Sequence, residues 1–205
     1  MTESARSAVL GRIRAALAPA PPPQVVVGRD YERQQLRGPG DVARFAETVA
    51  DYRARVLHIG ADAIGDTVAS LVPAGAVLAV PHDLPPHWVA GVNAVPDDPA
   101  LSNAHLDEAT AVVTGCAVAI AATGTIVLDG GAAQGRRALT LIPDHHICVV
   151  FAGQIVDTVP QGFAALNPLR PLTFISGPSA TSDIELERVE GVHGPRTLDV
   201  LIVES

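Results

Sequence analysis

Two adjacent arginines are the strongest candidates in this sequence for binding an anion. Arg136 and Arg137 end the span 56–135, which contains no arginine or lysine. A guanidinium group presents a planar fork of N–H donors that matches a carboxylate or a phosphate. Neighbouring side chains of a strand point to opposite faces, so we expect at most one of the two arginines to face a given pocket. A solvated or salt-bridged pair in a turn is the alternative.

The segment 176–185 is the second candidate, because it carries four hydroxyl side chains within seven residues. A turn of this kind presents backbone N–H groups and hydroxyls to an anion. We therefore predict ligand contacts from Ser179, Thr181, Ser182 and the following Asp183. The alternative is that Thr181 or Ser182 caps a helical turn.

Two further glycine-punctuated segments complete the predicted ligand-binding site. Thr123, Gly124 and Thr125 follow an apolar run, and His193 stands between Gly191 and Gly194. Ligands of open α/β sheets gather at strand ends, which is where such segments lie. His193 could act as an acid or base, or it could hold a loop in place.

Several classes of site are excluded by composition. The chain has no lysine, which removes Schiff-base chemistry and the lysine of a phosphate-binding P-loop. Its two cysteines, Cys116 and Cys148, are read as small core residues, and a cluster needs about four thiolates. His145 and His146 diverge in a strand, and no third ligand has a regular spacing with them. We predict no metal and no cofactor.

The charge and hydropathy patterns limit which partners the protein could bind and where in the cell we expect it. The formal net charge is −8, from 14 basic and 22 acidic residues, which argues against a nucleic-acid partner. No apolar run approaches the length of about 18 residues that spans a membrane, and Arg6, Arg12 and Arg14 interrupt the start of the sequence. We expect a cytoplasmic protein without membrane insertion.

Short apolar runs alternate with helical segments from residue 41 onward. Helices are predicted near 41–54 and 62–72. Strands are predicted at the short apolar runs 56–59, 77–80, 92–95, 111–114, 117–121, 125–128, 138–142, 147–151, 172–175 and 198–203. This rhythm predicts an α/β fold with a mixed, largely parallel sheet flanked by helices.

The first thirty residues read as an appendage to that domain. An amphipathic helix is predicted over 4–17, and the prolines that follow favour an extended linker up to about Asp30. We therefore divide the chain into an N-terminal helix with a proline-rich linker, 1–30, and an α/β domain, 31–205.

At these same segments the sequence resembles the lactate-utilisation protein C family, also called the LUD-domain or YkgG-like family. The matching blocks cover most of the chain, and the last two are the most specific. They are 10–17, Thr123–Leu128, Gln134–Arg137, Pro143 with 146–147, 177–185 and 191–196.

The resemblance implies a fold similar to the NagB/RpiA/CoA-transferase-like fold. It also implies a role in oxidising L-lactate to pyruvate beside iron–sulfur partner subunits. We therefore expect an accessory component that binds a small anionic metabolite or partner subunits and carries no redox centre itself. Homo-oligomerisation is left open.

Ala122 departs from the family pattern, which commonly has glutamate before Thr-Gly-Thr. If that carboxylate does acid–base work in relatives, this chain lacks it. Whether the chain is an enzyme is therefore left open. One alternative function is an independent enzyme acting on an acyl, formyl or CoA-type substrate, and another is a regulatory ligand-binding module.

Overall fold

The structure is a computed structural model that describes residues 5–18, 26, 28, 40–181, 189–190 and 194–204. The chain forms two compact units, Met1–Glu32 and Arg33–Ser205. Helix α1 (Ala5–Leu17) belongs to the first unit and lies where the sequence predicts a helix. Most of the predicted linker lies outside the described residues, and the domain boundary near residue 30 stays a prediction.

Six parallel strands form the centre of the second unit. In chain order they are β1 (Arg55–Gly60), β2 (Val77–Val80), β3 (Asn93–Pro96), β4 (Ala111–Thr114), β7 (His145–Phe151) and β12 (Thr197–Glu204). Across the sheet they follow the order β1-β12-β7-β4-β2-β3, and every pairing is parallel. The prediction of a largely parallel α/β fold is confirmed.

The antiparallel pairings are gathered in smaller sheets. Four further strands form a second sheet: β5 (Val118–Ile120), β6 (Thr125–Leu128), β8 (Ile155–Val156) and β9 (Thr173–Ile175). Their order is β8-β5-β6-β9, and β6 is antiparallel to both of its neighbours. Two short strands, β10 (Ala180–Thr181) and β11 (Val189–Glu190), pair with each other.

In the described part of this unit, four α-helices accompany the sheets: α2 (Val42–Asp51), α3 (Ile64–Leu71), α4 (Asn103–Glu108) and α5 (Val159–Ala165). Helix α2 begins after Asp41, whose carboxylate accepts a hydrogen bond of 3.0 Å from the Arg44 N–H group. This side-chain cap explains why the helix starts where the sequence predicts it. No helix in the described part of the chain is long and apolar enough to cross a bilayer.

The parallel sheet is covered on both faces, which is why its strands read as short, continuous apolar runs. On one face, Leu78 and Leu201 pack with residues of α3, including Val68. On the other face, Val150 and Val200 pack with Phe45 of α2 and with the four-stranded sheet. The domain is therefore layered, with the smaller sheet on one face of the larger one.

The predicted strand at 138–142 is wrong, because residues Arg137–Thr140 form a 3₁₀ turn. The Leu139 N–H group donates to the Arg136 carbonyl at 3.0 Å, which closes the turn locally. The turn buries Leu139 against Leu106 of α4 and Val112 of β4. In so short a segment, apolar residues are compatible with a buried turn as well as with a strand.

Candidate functional site

Two adjoining cavities are lined by three of the described candidate residues, Arg136, Arg137 and Ser179. The larger, of about 560 Å³, lies beside the carboxyl ends of β2 and β3. The smaller, of about 230 Å³, lies beside the first residues of β7 and β12. Arg137, Thr140 and Thr173 line both cavities. Both cavities therefore lie beside strand ends.

A glycine-rich loop, Asp129–Gly135, forms one wall of the larger cavity and is tied down by hydrogen bonds. The Asp129 N–H group donates to the buried Gln134 side chain at 2.6 Å, and the Ala133 N–H group donates to the Asp83 carboxylate at 3.0 Å. Both ends of the loop are therefore fixed. The wall is preformed, as is usual for ligand cavities.

Arg136 lines the larger cavity and already forms three hydrogen bonds within the protein. Its guanidinium donates to both carboxylate oxygens of Asp97, at 2.7 and 3.1 Å, and to the Leu101 carbonyl at 2.6 Å. Burial of Asp97 opposes ionisation, but the hydrogen bonds from Arg136 and from the Leu101 N–H group hold the pKa of this carboxyl below its ordinary value. Arg136 is therefore part of an internal ion pair.

Arg137 differs from its neighbour in its partners. Its guanidinium donates to the carbonyl and to the hydroxyl of Thr140, at 2.8 and 3.1 Å. Among the described residues, no carboxylate forms an ion pair with it. The side chain lies in a turn rather than a strand, so both arginines line the larger cavity and Arg137 alone of the two also reaches the smaller one.

The smaller cavity has a lining suited to a negative charge. Its polar residues are Arg137, Thr140, His146, Thr173, Ser176 and Ser179, and its described lining includes no carboxylate. The Ser179 N–H group donates to the Pro195 carbonyl at 2.8 Å, which ties together the two most specific sequence blocks. The cavity therefore offers a cation and several neutral donors.

The Thr-Gly-Thr segment is a turn between β5 and β6, and neither cavity is lined by it. The Thr125 hydroxyl bonds to those of Thr123 and Ser176, at 2.7 and 2.8 Å, and Ser176 lines the smaller cavity. Gly124 has φ +56°, and a Cβ there would lie 2.6 Å from the Thr48 backbone. This close approach to α2 explains the glycine.

The other predicted contacts are less fully defined. Ser182, Asp183 and His193 lie outside the described residues. Thr181 is described through its backbone, which pairs with Val189. Ala122, at the position of the expected glutamate, donates its N–H group to the Asp157 carbonyl at 2.9 Å.

His146 is the residue of this region whose environment the sequence did not indicate. It is buried, its Nε2 atom lies 2.8 Å from the Thr114 hydroxyl oxygen, and it lines the smaller cavity. The preceding His145 points away and bonds to Asp199 at 2.7 Å. The two rings diverge as expected for a strand, and the described ranges contain no group of three or more His, Cys, Asp or Glu side chains placed to hold a metal ion.

The sequence is similar to a known protein family and to several of its members. The LUD domain model matches residues 93–203, which include most of the lining of both cavities. Lactate utilization protein C of Deinococcus radiodurans is 51% identical over 165 residues, and the match covers 78% of each chain. Lactate utilization protein C of Geobacillus kaustophilus is 33% identical over 117 residues, covering 52% of this chain and 48% of that one.

Two other similar proteins point to the same family. The Escherichia coli protein YkgG is 33% identical over 124 residues, which cover 55% of this chain and 53% of that protein. The crystal structure of a DUF162 family protein from Deinococcus radiodurans is 40% identical, with a TM-score of 0.68, and the match covers 84% of this chain and 99% of that one. The resemblance inferred from sequence blocks is confirmed: this chain belongs to the LUD domain family.

Proposed function

We propose that this chain is an accessory component of an L-lactate utilisation system and that it binds a small carboxylate-bearing metabolite in the smaller cavity. The names of its relatives support the first part. The observation that carries the second part is Arg137, a cation that lines the cavity and forms no ion pair with a described carboxylate.

The size and lining of the cavity favour a small ligand. A volume of about 230 Å³ lies below the range of roughly 300–1,000 Å³ that holds a drug-sized molecule. One guanidinium with several hydroxyls is suited to a carboxylate, which accepts two parallel N–H bonds from arginine and further bonds from neutral donors. A hydroxy or keto acid matches both features.

Electron transfer by metal centres is assigned to partner subunits in this proposal. An iron–sulfur cluster is usually held by about four thiolates, and the chain contains two cysteines. The component described here would therefore bind the ligand or the partner subunits while a partner bears the clusters.

Thermal unfolding with a panel of anions tests the proposal. The panel contains lactate, pyruvate, acyl-CoA, formyl-folate and sugar phosphates. A ligand at about one hundred times its dissociation constant stabilises the fold by roughly 2.7 kcal/mol, which raises the melting temperature by several degrees. We expect this shift with lactate or pyruvate.

The matched pair of variants is Arg137→Ala and Arg44→Ala. Both remove one positive charge, but Arg44 is an exposed residue of α2 that lines neither cavity. We expect the shift to disappear in Arg137→Ala and to persist in Arg44→Ala. Equal shifts in all three proteins would place the ligand elsewhere. A shift with acyl-CoA alone would favour the acyl-substrate enzyme.

A further inference from the structure

His146 lines the smaller cavity, and within the described part of the chain only one of its two ring nitrogens has a hydrogen-bond partner. The residue lies on β7 and is 1% exposed, so the protein encloses its ring. The Nε2 atom lies 2.8 Å from the Thr114 hydroxyl oxygen. No buried side-chain nitrogen or oxygen of the described residues lacks a partner, so the unpartnered Nδ1 atom is reached from the space that the ring lines.

A chain of hydrogen bonds determines which ring nitrogen carries the hydrogen. The Cys148 thiol donates to the Gly115 carbonyl at 3.8 Å, and a carbonyl oxygen can only accept. The Thr114 hydroxyl donates in turn to the Cys148 sulfur at 3.9 Å. Because that hydroxyl has one hydrogen to give, it accepts from His146, whose Nε2 atom therefore bears a hydrogen. In the neutral imidazole, Nδ1 is then an unprotonated acceptor.

An acceptor at this position distinguishes a hydroxyl group from a keto oxygen. A hydroxyl can donate to the Nδ1 lone pair, whereas a keto oxygen has no hydrogen and would bring a second lone pair against it. Arg137 lines the same cavity of about 230 Å³. The carboxylate and the hydroxyl of a 2-hydroxy acid are on adjacent carbons, so both groups fit within this small volume.

We propose that His146 makes the smaller cavity selective for 2-hydroxy acids over 2-keto acids, with Nδ1 accepting a hydrogen bond from the ligand hydroxyl. Thr114 is a positioning residue, because it keeps the hydrogen on Nε2. The inference rests on the carboxylate site proposed above and narrows its ligand to hydroxy acids. His146 acts here in binding alone, and no proton or electron is transferred.

The position of the hydrogen is tested without any ligand. The full chain is produced with isotope-labelled histidine, and a proton–nitrogen correlation spectrum distinguishes ring nitrogens that carry hydrogen from those that do not. We expect the His146 signals, identified by their loss in His146→Gln, to show hydrogen on Nε2 and none on Nδ1 at neutral pH. Hydrogen on Nδ1, in the other tautomer or in the doubly protonated ring, would overturn the proposal.

The selectivity is tested by isothermal titration calorimetry of the wild type with L-lactate, pyruvate and propionate. Propionate keeps the carboxylate but has no oxygen on the adjacent carbon. We expect L-lactate to bind about tenfold more tightly than the other two, which corresponds to one net hydrogen bond of about 1.4 kcal/mol.

The outcomes separate this inference from the proposal on which it rests. Equal affinities for the three acids, or tighter binding of pyruvate, would overturn the selectivity and leave the carboxylate site intact. Absence of binding by all three would overturn the carboxylate site and the selectivity with it, even if the spectrum shows the expected hydrogen on Nε2.

Thr114→Val and Thr114→Ser are matched variants. Valine has the shape of threonine but no hydroxyl, so the hydrogen is free to move to Nδ1, and the preference for L-lactate over pyruvate should fall at least about threefold. Serine keeps the hydroxyl and should keep the preference. A merely structural role would weaken both ligands equally, and an unchanged ratio of dissociation constants in Thr114→Val would contradict the positioning role. The wild-type titrations stand even if a variant fails to fold.

Discussion

The two neighbouring arginines that line the cavities differ in their hydrogen-bonding partners. In the larger cavity Arg136 is engaged by Asp97 and the Leu101 carbonyl, and the Asp97 side chain is 6% exposed. Arg137, which also reaches the smaller cavity, bonds to Thr140 and pairs with no described carboxylate. An arginine that lines a cavity is therefore no guide to ligand binding until its internal partners are known.

The sequence segments that match the family differ in the same way: one packs against a neighbouring helix, whereas another lines a cavity. The Thr-Gly-Thr turn packs against α2, and its hydroxyls reach the smaller cavity through Ser176. Ser176 and Ser179 line that cavity themselves. We therefore expect substitutions in the turn and at Arg136 to change folding, and substitutions at Arg137 to change binding.

The largest effect should come from Gly124→Ala. Its Cβ would meet the Thr48 backbone at 2.6 Å at a positive φ, and we expect a loss of about 3 kcal/mol in the free energy of unfolding. Gly130→Ala is the matched control, because Gly130 also has positive φ (+67°) but faces open space. It should lose about 1–2 kcal/mol. Equal losses in urea denaturation would contradict the role assigned to the α2 contact.

Arg136→Ala should lower the free energy of unfolding by about 2 kcal/mol, because it leaves the Asp97 carboxylate without its ion-pair partner. Arg137→Ala should change it by less than about 0.5 kcal/mol. Urea denaturation measures both. The comparison between the arginines fails if Arg137→Ala is the more destabilising variant.

Acid should weaken the fold partly through Asp97. Its pKa is lower in the folded chain than in the unfolded one, so its contribution is complete above about pH 4 and is lost as the pH falls below that value. Asp97→Asn should therefore lose stability less steeply between neutral pH and about pH 3 than the wild type. Parallel stability curves for the two proteins would rule this out.

The smallest effect is expected for Arg137→Lys. Lysine keeps the charge but presents no planar fork, so ligand affinity should fall about threefold to tenfold while stability stays unchanged. Isothermal titration calorimetry with the ligand found in the thermal screen measures the change. An affinity loss as large as that of Arg137→Ala would show that geometry outweighs charge at this position.

Much of the fold could be predicted because buried parallel strands are short apolar runs with clear ends. The runs at 77–80, 111–114 and 125–128 match β2, β4 and β6 residue for residue. Segment 138–142 misled because its apolar residues are buried by a turn. Helices α4 and α5 are too short to display a periodic pattern.

The candidate site was harder to predict, because it depends on pairings between distant residues. Residue type identified both arginines, but Asp97, which distinguishes them, lies 39 positions before Arg136. Sequence indicates which groups are capable of chemistry, and tertiary contacts decide which of them are already engaged.

The position of β12 in the sheet has a consequence for the order of folding. Strand β1 pairs with β12 alone in the six-stranded sheet, and Arg55 and Asp199, joined across this pair, are 144 positions apart. The entropy of closing so long a loop must be lost before the contact forms, and we therefore expect this pairing to form late. Strand β1 therefore has no partner in the six-stranded sheet until β12 lies between β1 and β7. We expect this insertion of β12 to limit the folding rate.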